Sequence, residues 1–142
     1  MKLNALEKLL MNNPLRSFAQ DKKEAVMFEK LGGKTLGQKV LEIGCGRGVG
    51  TEIIFERFGA DEVHAFDMDP EMVTLARKRL SRFLSERLRP FVGDAEHIDG
   101  ADGTYDAVFD FGIIHHVPSW RNAVKEVIRV LKPAGKFYFE EV

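Results

Sequence analysis

Apolar residues in the first 31 positions recur at the spacing of an α-helix. Leucines stand at positions 3, 6, 9 and 10, one helical turn apart, and predict a first short helix. Pro14 is expected to interrupt that helix, and a second, less regular helical stretch follows from about Ser17 to Leu31. The glycine-rich segment "GGKTLGQ" then predicts a hinge. Residues 1–38 are therefore predicted to be an N-terminal helical segment.

The rest of the chain alternates between two patterns. Short runs rich in β-branched and aromatic residues are separated, for the most part, by helix-like segments. In chain order these runs are "KVLEI", "EVHAFD", "RPFVGD", "YDAVFDF" and "GKFYFEEV". Such alternation is typical of parallel strands connected by helices. Residues 39–142 are therefore predicted to form an α/β core: a doubly wound, mostly parallel, Rossmann-like sheet with helices on both faces.

The helix expected after the second strand carries a clear start signal. Asp69 and Pro70 supply an N-cap and a first-turn proline, and the apolar face that follows predicts a helix to about Glu86. A shorter helix is expected from about Gly50 to Phe58, directly after the first strand, with Ile53 and Ile54 buried.

A further helix is predicted between Ser119, as its cap, and Pro133, which forbids continuation. Its apolar residues follow the spacing of one helix face. They are Trp120, Ala123, Val124, Val127, Ile128 and Leu131. Because they share that face, Trp120 and Leu131 are expected to be buried.

Composition narrows the class of protein. The chain has 142 residues, 44% of them hydrophobic, which is enough for one domain with a core. The 21 basic and 22 acidic residues nearly cancel, so overall charge gives no signal for nucleic acid. No stretch is long enough to span a membrane, and charges interrupt the amino terminus before a signal-peptide core develops. The chain has a single cysteine, and its histidines and cysteine do not have the spacing of metal ligands. We therefore expect a soluble, cytoplasmic protein without a metal site.

The stretch "VLEIGCGRGVGT" places four glycines at alternate positions behind the first predicted strand. In an open parallel sheet, ligands bind at the carboxyl ends of the strands. Glycines there permit a tight turn and let a ligand approach the backbone N–H groups at a helix start. The spacing is not that of a dinucleotide fingerprint, because Val49 stands where the third glycine would be, and no phosphate-binding Gly-Lys-Ser/Thr follows.

Two aspartates follow neighbouring strands of the predicted sheet. Asp67 ends "VHAFD" about twenty residues after the glycine loop, where a carboxylate accepts hydrogen bonds from the hydroxyls of a ribose. Asp94 ends the strand in "FVGDAE", where it is an acceptor for the amino group of adenine. Asp69 is better explained as the cap of the next helix. Together the glycine loop and both aspartates predict a ligand like adenosine.

With these residues in place, the chain resembles the class I S-adenosylmethionine-dependent methyltransferases, and among them the enzymes that act on small molecules. The resemblance covers about Lys39 to Val142. The matching segments are "VLEIGCGRG", "AFDMDPEMV", "GDAE", "YDAVFDFGIIHHV" and "EVIRVLKPAGKFYF". It implies S-adenosyl-L-methionine as cofactor and a small-molecule methyl acceptor as partner.

The resemblance also implies roles for individual residues. Glu42 would brace the loop, Gly44 and Gly46 would lie against the methionine part of the cofactor, and Cys45 belongs to the same loop. The remaining implied contacts are Asp67 with the ribose, Met68 with the adenine, Asp94 with the adenine amino group, Ala95 with the ring through its N–H, and Asp110 and Phe111 near the sulfonium. Cys45 is expected to be a small apolar side chain rather than a nucleophile.

His115 and His116 follow the fourth predicted strand and are the candidate catalytic bases for an acceptor that must lose a proton. Each could equally serve the structure of the loop. The basic residues around "ARKRLSRFLSERLRP" are expected to be a solvated helix face rather than a nucleic-acid surface. The fourth-strand motif "DFGI" disfavours the amino-group methyltransferases of DNA adenine and of glutamine.

Members of the family normally add two strands after the fifth, and here the printed sequence ends at Val142. We therefore expect the fifth strand to lie at an open edge. The chain is then either a truncated or unusually minimal form, or one in which a second protomer or the N-terminal segment covers that edge. Two other functions stay open at this point. One is a non-catalytic module that binds S-adenosylmethionine or S-adenosylhomocysteine; the other is a nucleotide-dependent oxidoreductase, which the glycine spacing disfavours.

Overall fold

The computed structural model describes the backbone of residues 14–140 and the side chains of residues 22–140. Five strands form one sheet in the order β3-β2-β1-β4-β5, with every neighbouring pair parallel. The strands are β1 Lys39–Ile43, β2 Glu62–Asp67, β3 Leu88–Val92, β4 Tyr105–Asp110 and β5 Leu131–Phe139. The helices are α1 Pro14–Gly32, α2 Val49–Glu56, α3 Pro70–Arg79 and α4 Trp120–Val130. The predicted α/β fold class is confirmed.

The chain begins the sheet in its middle. It builds outward from β1 through β2 to β3, then returns to the other side of β1 with β4 and β5. Val40 accordingly pairs with Val63 of β2 on one side and with Ala107 of β4 on the other. The reversal creates a switch point at the carboxyl ends of β1 and β4, which is where open parallel sheets bind ligands.

Helices cover both faces of the sheet. On one face α1, α2 and α3 contribute Phe28, Ile54 and Ala76 to a core cluster. On the other face α4 contributes Ala123 and Val127 to a second cluster. The central strands are buried on both sides, which explains why their sequences are continuous hydrophobic runs rather than strict alternations.

The N-terminal helices differ in part from the prediction. The helix expected from the leucines at positions 3, 6, 9 and 10 lies outside the described residues. The second helix, expected from about Ser17, begins at Pro14, a first position that proline tolerates because its missing N–H is not needed there. The expected interruption at Pro14 concerns residues before it and also lies outside the described residues. Phe28 of α1 packs against Phe109 and Tyr138, with ring centroids 6.0 and 5.8 Å away.

The helix predicted to reach Glu86 ends earlier, so that boundary was wrong. Asp69 does cap it, accepting a hydrogen bond from the N–H of Glu71 at 3.0 Å, but α3 ends at Arg79. A short 3-10 turn follows, and in it the ring of Phe83 stacks on Phe55 of α2, with centroids 4.5 Å apart. This contact between distant parts of the chain outweighs the local helical pattern.

The prediction that Trp120 is buried was wrong, whereas Leu131 does pack against the second core cluster. Trp120 is 45% exposed in the first turn of α4, and Leu131 begins β5 and is only partly buried. The helix buries Ala123, Val127 and Val130 instead. Ile128, assigned to the same face, is 66% exposed because it points away from these three. Ser119 precedes the helix but its side chain makes no capping hydrogen bond.

β5 starts before its predicted run, directly after α4. Its pairing with β4 shifts between Tyr105, which faces Leu131, and Ala107, which faces Lys136. The extra residues form an irregular stretch in which Ala134 has a left-handed backbone, with φ of 65°. β5 is the edge strand of the described sheet, and Phe139 at its end is 52% exposed.

No helix within residues 14–140 combines the length and the apolar character needed to cross a membrane.

Candidate functional site

The glycine loop lies between β1 and α2 and is tied to the end of β2 by its backbone. The N–H of Cys45 donates to the carbonyl of Phe66 at 2.9 Å, and the N–H of Gly46 donates to the carboxylate of Asp67 at 3.0 Å. Gly44 has a φ of 68°, a conformation that side chains of L-residues disfavour. These bonds place the loop and Asp67, which the sequence suggested as partners, in direct contact.

Glu42 lies beneath the loop. It is 2% exposed, and its carboxylate accepts a short hydrogen bond from the hydroxyl of Thr51 in the first turn of α2. Gly50 passes so close that a Cβ atom there would touch Glu42 and come within 2.8 Å of the ring of Phe111. Glu42 therefore fixes where α2 begins, and α2 in turn fixes the loop.

Two backbone N–H groups hold the carboxylate of Asp67. One oxygen accepts from Gly46, and the other accepts from the N–H of Asp69 at 2.9 Å. Burial raises the pKa of Asp67, and the two N–H donors act in the opposite direction by favouring its charged form. A carboxylate has about four acceptor positions, so two positions remain for a diol.

Asp94 lies beside Asp67 because β2 and β3 end together. The N–H of Gly93 donates to the carbonyl of Asp67 at 3.0 Å, and the carboxylate of Asp94 accepts from the N–H of Glu96 at 2.9 Å. The turn that results buries Ala95, which is 5% exposed. Met68, which follows Asp67, is partly buried. The structure thus brings together the residues that the sequence assigned to a nucleoside.

Asp110 closes the site on the β4 side. It is fully buried, and its two oxygens accept from the N–H groups of Ile113 and Ile114 at 2.6 and 3.3 Å. These bonds fold the loop after β4 back over Gly44, where a Cβ atom would come within 2.7 Å of Cγ2 of Ile113. Phe111 is partly buried and its ring lies 5.4 Å from that of Phe28.

His115 and His116 sit on a short 3-10 turn, Ile114–His116, just beyond this loop. Both are exposed, and their ring centroids are 4.0 Å apart. They therefore lie at the carboxyl end of β4, on the side of the site away from Asp67.

Sequence reasoning missed three residues that shape the site: Thr51, Ile113 and Phe28. Thr51 carried a recognisable signal, since a hydroxyl in the first turn of a helix that follows a buried acid is a natural donor. Ile113 and Phe28 carried none, because their importance depends on what they pack against rather than on their chemistry.

The thiol of Cys45 is directed into the core and is 5% exposed. Burial raises its pKa well above the ordinary value, and the charges of Glu42 and Asp67 add to the effect. The thiolate that a nucleophile requires is thus disfavoured, in keeping with a small packing side chain.

Three of the basic residues around α3 make hydrogen bonds within the domain. Arg82 bonds Glu56 at 2.6 Å, Arg77 donates to the carbonyl of Pro90 at 2.7 Å, and Arg87 donates to the carbonyl of Ala60 at 3.2 Å. Their role in the described structure is to hold α2, α3 and β3 together.

Comparison with known proteins agrees with this geometry. Residues 40–135 match a family model described as a methyltransferase domain. The demethylmenaquinone methyltransferase of Tropheryma whipplei is 32% identical over 124 residues, which cover 87% of this chain and 50% of that protein. Phosphoethanolamine N-methyltransferase 2 of Caenorhabditis elegans is 30% identical over 110 residues, covering 78% of this chain and 25% of that protein.

A solved structure shows the same likeness in three dimensions. Phosphoethanolamine N-methyltransferase 2 of Haemonchus contortus, in complex with S-adenosyl-L-methionine, is 28% identical with a TM-score of 0.73. The match covers 82% of this chain and 27% of that one. The chain spans between 25% and 50% of the length of the two curated relatives above. By its family match and its fold, the chain belongs to the methyltransferase domain family, among the class I S-adenosylmethionine-dependent methyltransferases.

Proposed function

We propose that this domain binds S-adenosylmethionine at the carboxyl ends of β1, β2 and β3 and transfers its methyl group to a small molecule. The observation that carries the proposal is the Asp67 carboxylate, which is fixed by two backbone N–H groups and keeps two acceptor positions. A ribose offers two hydroxyl donors, so the residue fits a nucleoside without rearrangement. The cofactor has no phosphate, which suits a glycine loop without a phosphate-binding lysine.

The proposal extends to the neighbouring residues. Gly44 and Gly46 would face the methionine part, and the turn at Asp94 and Ala95 would face the adenine, with Met68 against its ring. The support is their position: hydrogen bonds join the glycine loop to β2 and the end of β3 to Asp67. These bonds link the ends of β1, β2 and β3, which carry the residues named here.

The cofactor, when bound, supplies a methyl group already activated by a sulfonium. The protein need not provide a nucleophile, and its task is to hold the acceptor in line with the methyl carbon. Positioning of this kind gives effective molarities of roughly 10⁵ M or more. The buried Asp110 would contribute by holding the loop of Ile113, and Phe111 by lining the site.

His115 and His116 are proposed as bases for an acceptor that must lose a proton, a role worth about 10²- to 10⁴-fold in rate. Their exposure at the carboxyl end of β4 supports it. Single His115→Gln and His116→Gln variants test the role. A base loses activity in one variant together with the acidic limb of the pH–rate profile, whereas a structural histidine leaves the profile shape unchanged.

The first experiment is calorimetric titration of the protein with S-adenosylmethionine and S-adenosylhomocysteine. We expect binding by the wild type, and loss in Asp67→Ala. Asp61→Ala is the matched control, because Asp61 is an exposed aspartate at the opposite end of β2. Since Asp67 also holds the loop, a second arm uses the 2′-deoxyribose analogue of S-adenosylhomocysteine on the unchanged protein. Hydrogen bonds to charged groups contribute about 1.5–3 kcal/mol, so we expect at least tenfold weaker binding.

No binding of either cofactor form by folded wild-type protein would refute the proposal. Binding without methyl release from labelled cofactor, across a panel of acceptors, would leave a binding module rather than an enzyme.

Two further expectations belong to the proposal: location in the cytoplasm, and pairing of β5 with the β5 of a second copy. The second is supported by the position of β5 at the edge of the described sheet and by the half-exposed Phe139. Light scattering after size-exclusion chromatography would show a dimer that dissociates in Phe139→Lys; a monomer at all concentrations would exclude this pairing.

A further inference from the structure

Trp120 is the only tryptophan of the chain, and it is 45% exposed at the start of α4. Apolar area left in water forgoes about 25 cal/mol for each Å² that could be buried. Tryptophan in such a position is characteristic of binding surfaces, where a partner covers the ring. Packing within the described domain does not account for the exposure of this indole ring.

Arg121 shares this surface. Its guanidinium carbon lies 4.4 Å from the centre of the indole ring, so the two side chains form a stacked pair. Among the side chains of residues 22–140, no carboxylate forms an ion pair with Arg121. The pair consequently presents an aromatic face and a positive charge that the described structure does not neutralise.

The chain segment that carries the pair has no acidic residue. The segment from Phe111 to Arg121, "FGIIHHVPSWR", contains no aspartate or glutamate. Glu126 is the first acid after it, and its carboxylate is bonded to Arg129 and to the N–H of Ile98. An anionic group would meet attraction here and no opposing carboxylate from this segment.

The pair also lies at the right end of the sheet. Asp110 fixes the loop whose Ile113 packs on Gly44, and the 3-10 turn Ile114–His116 is followed, after three residues, by α4. Trp120 therefore follows the turn by four residues along the chain, at the start of the helix that leaves the carboxyl end of β4. It lies beyond His116, on the side away from Asp67.

We propose that Trp120 and Arg121 bind the methyl acceptor, and that the acceptor is a flat aromatic molecule carrying an anionic group, as in a hydroxylated aromatic acid. The inference rests on the proposed function. The ring of the acceptor stacks on Trp120, and the carboxylate of the acceptor pairs with Arg121. The phenolic proton passes to a histidine or to water, the oxygen forms a bond to the methyl carbon, and the carbon–sulfur bond breaks with its electron pair going to sulfur. Charge balances because an anion and a sulfonium give an ether and a neutral thioether.

The single tryptophan makes the test direct. Intrinsic fluorescence is titrated, in the presence of S-adenosylhomocysteine, with three ring compounds that differ in charge: 4-hydroxybenzoate, 4-hydroxybenzamide and tyramine. We expect saturable quenching by the acid, about tenfold weaker binding of the neutral amide, and weaker binding still of the amine. Arg121→Gln should reduce the affinity for the acid to that for the amide. Lys125→Gln removes a positive charge one turn further along α4 and is the matched control, expected to leave the affinity unchanged.

Trp120→Ala and Trp120→Phe, measured by calorimetry, separate stacking from charge. The phenylalanine variant should retain most of the affinity, and the alanine variant should lose it. Equal binding of all three ring compounds, or equal effects of Arg121→Gln and Lys125→Gln, would overturn the proposal. If the protein binds S-adenosylhomocysteine and none of the ring compounds, the acceptor assignment alone fails. If it binds no S-adenosylhomocysteine, the proposed function fails and this proposal fails with it.

Discussion

Replacing Gly44 by alanine tests the contact between the glycine loop and the loop after β4. Two effects of the substitution lower the free energy of unfolding. The backbone has a φ of 68°, and the new Cβ would come within 2.7 Å of Cγ2 and 2.9 Å of Cβ of Ile113. Gly37→Ala is the matched control, because Gly37 has a φ of 72° but no atom within 4 Å of an added Cβ.

The control isolates the backbone cost. A left-handed L-residue costs about 1–2 kcal/mol, offset by about 0.4–1 kcal/mol from the smaller entropy of the unfolded chain. We therefore expect Gly37→Ala to lower the free energy of unfolding by about 1 kcal/mol. Overpacking adds about 1–3 kcal/mol, so Gly44→Ala should lose about 2–4 kcal/mol in total. Domains of ordinary stability, about 5–15 kcal/mol, remain folded after such a loss.

Guanidinium chloride unfolding followed by circular dichroism measures both variants. A double-mutant cycle with Ile113→Ala completes the test, because removing the isoleucine side chain should recover at least about 1 kcal/mol relative to the sum of the single changes. If Gly44→Ala costs no more than Gly37→Ala, or if the two changes at Gly44 and Ile113 are additive, the contact does not exist in solution.

Three smaller predictions concern the framework. Ala134→Gly should raise the free energy of unfolding by about 0.5–1 kcal/mol, because it relieves a left-handed alanine; a loss of stability in chemical denaturation would contradict this. Burial lowers the pKa of His64, whose ring nitrogens contact Tyr105 and Glu62 at 2.8 and 2.9 Å. The free energy of unfolding should therefore fall as the pH drops below about 6.5, because the unfolded histidine binds its proton first. A His64→Gln variant whose stability depends on pH as steeply as that of the wild type would refute the assignment. Tyr138→Phe removes a donor to the carbonyl groups at the end of α1 and should cost about 1 kcal/mol in thermal unfolding, with an unchanged midpoint arguing against it.

Sequence patterns predicted most of the fold because the central strands are buried on both faces. β1 and β2 have the bounds of their predicted runs, since each run is continuous and ends at a glycine or an aspartate. The end of α3 and the exposure of Trp120 were mispredicted for a shared reason. Both depend on what the rest of the chain places against the helix, as with the stacking of Phe83 on Phe55, and no local pattern contains that information.

The candidate site was predictable to the extent that chain order determines it. Residues that follow β1, β2 and β3 must meet at one edge of a parallel sheet, so Gly44, Asp67 and Asp94 could be grouped before any coordinates. The contact between Ile113 and Gly44 could not be predicted, because nothing in the sequence around an isoleucine after a strand indicates which residue it packs against. The same holds for the pairing of Trp120 with Arg121 on an exposed surface, which a helical periodicity assigned to the core.

The hydrogen bonds that assemble the site decide how its residues can be tested. Asp67 receives the N–H groups of Gly46 and Asp69, and its carbonyl receives that of Gly93, so one residue joins the ends of β1, β2 and β3. Any substitution that removes its carboxylate releases the glycine loop as well as the proposed ribose contact. Weaker cofactor binding by Asp67→Ala alone therefore does not distinguish a lost contact from a displaced loop. Weaker binding of the 2′-deoxy analogue by the unchanged protein identifies a lost contact, because the loop is then intact and only the ligand lacks its donor.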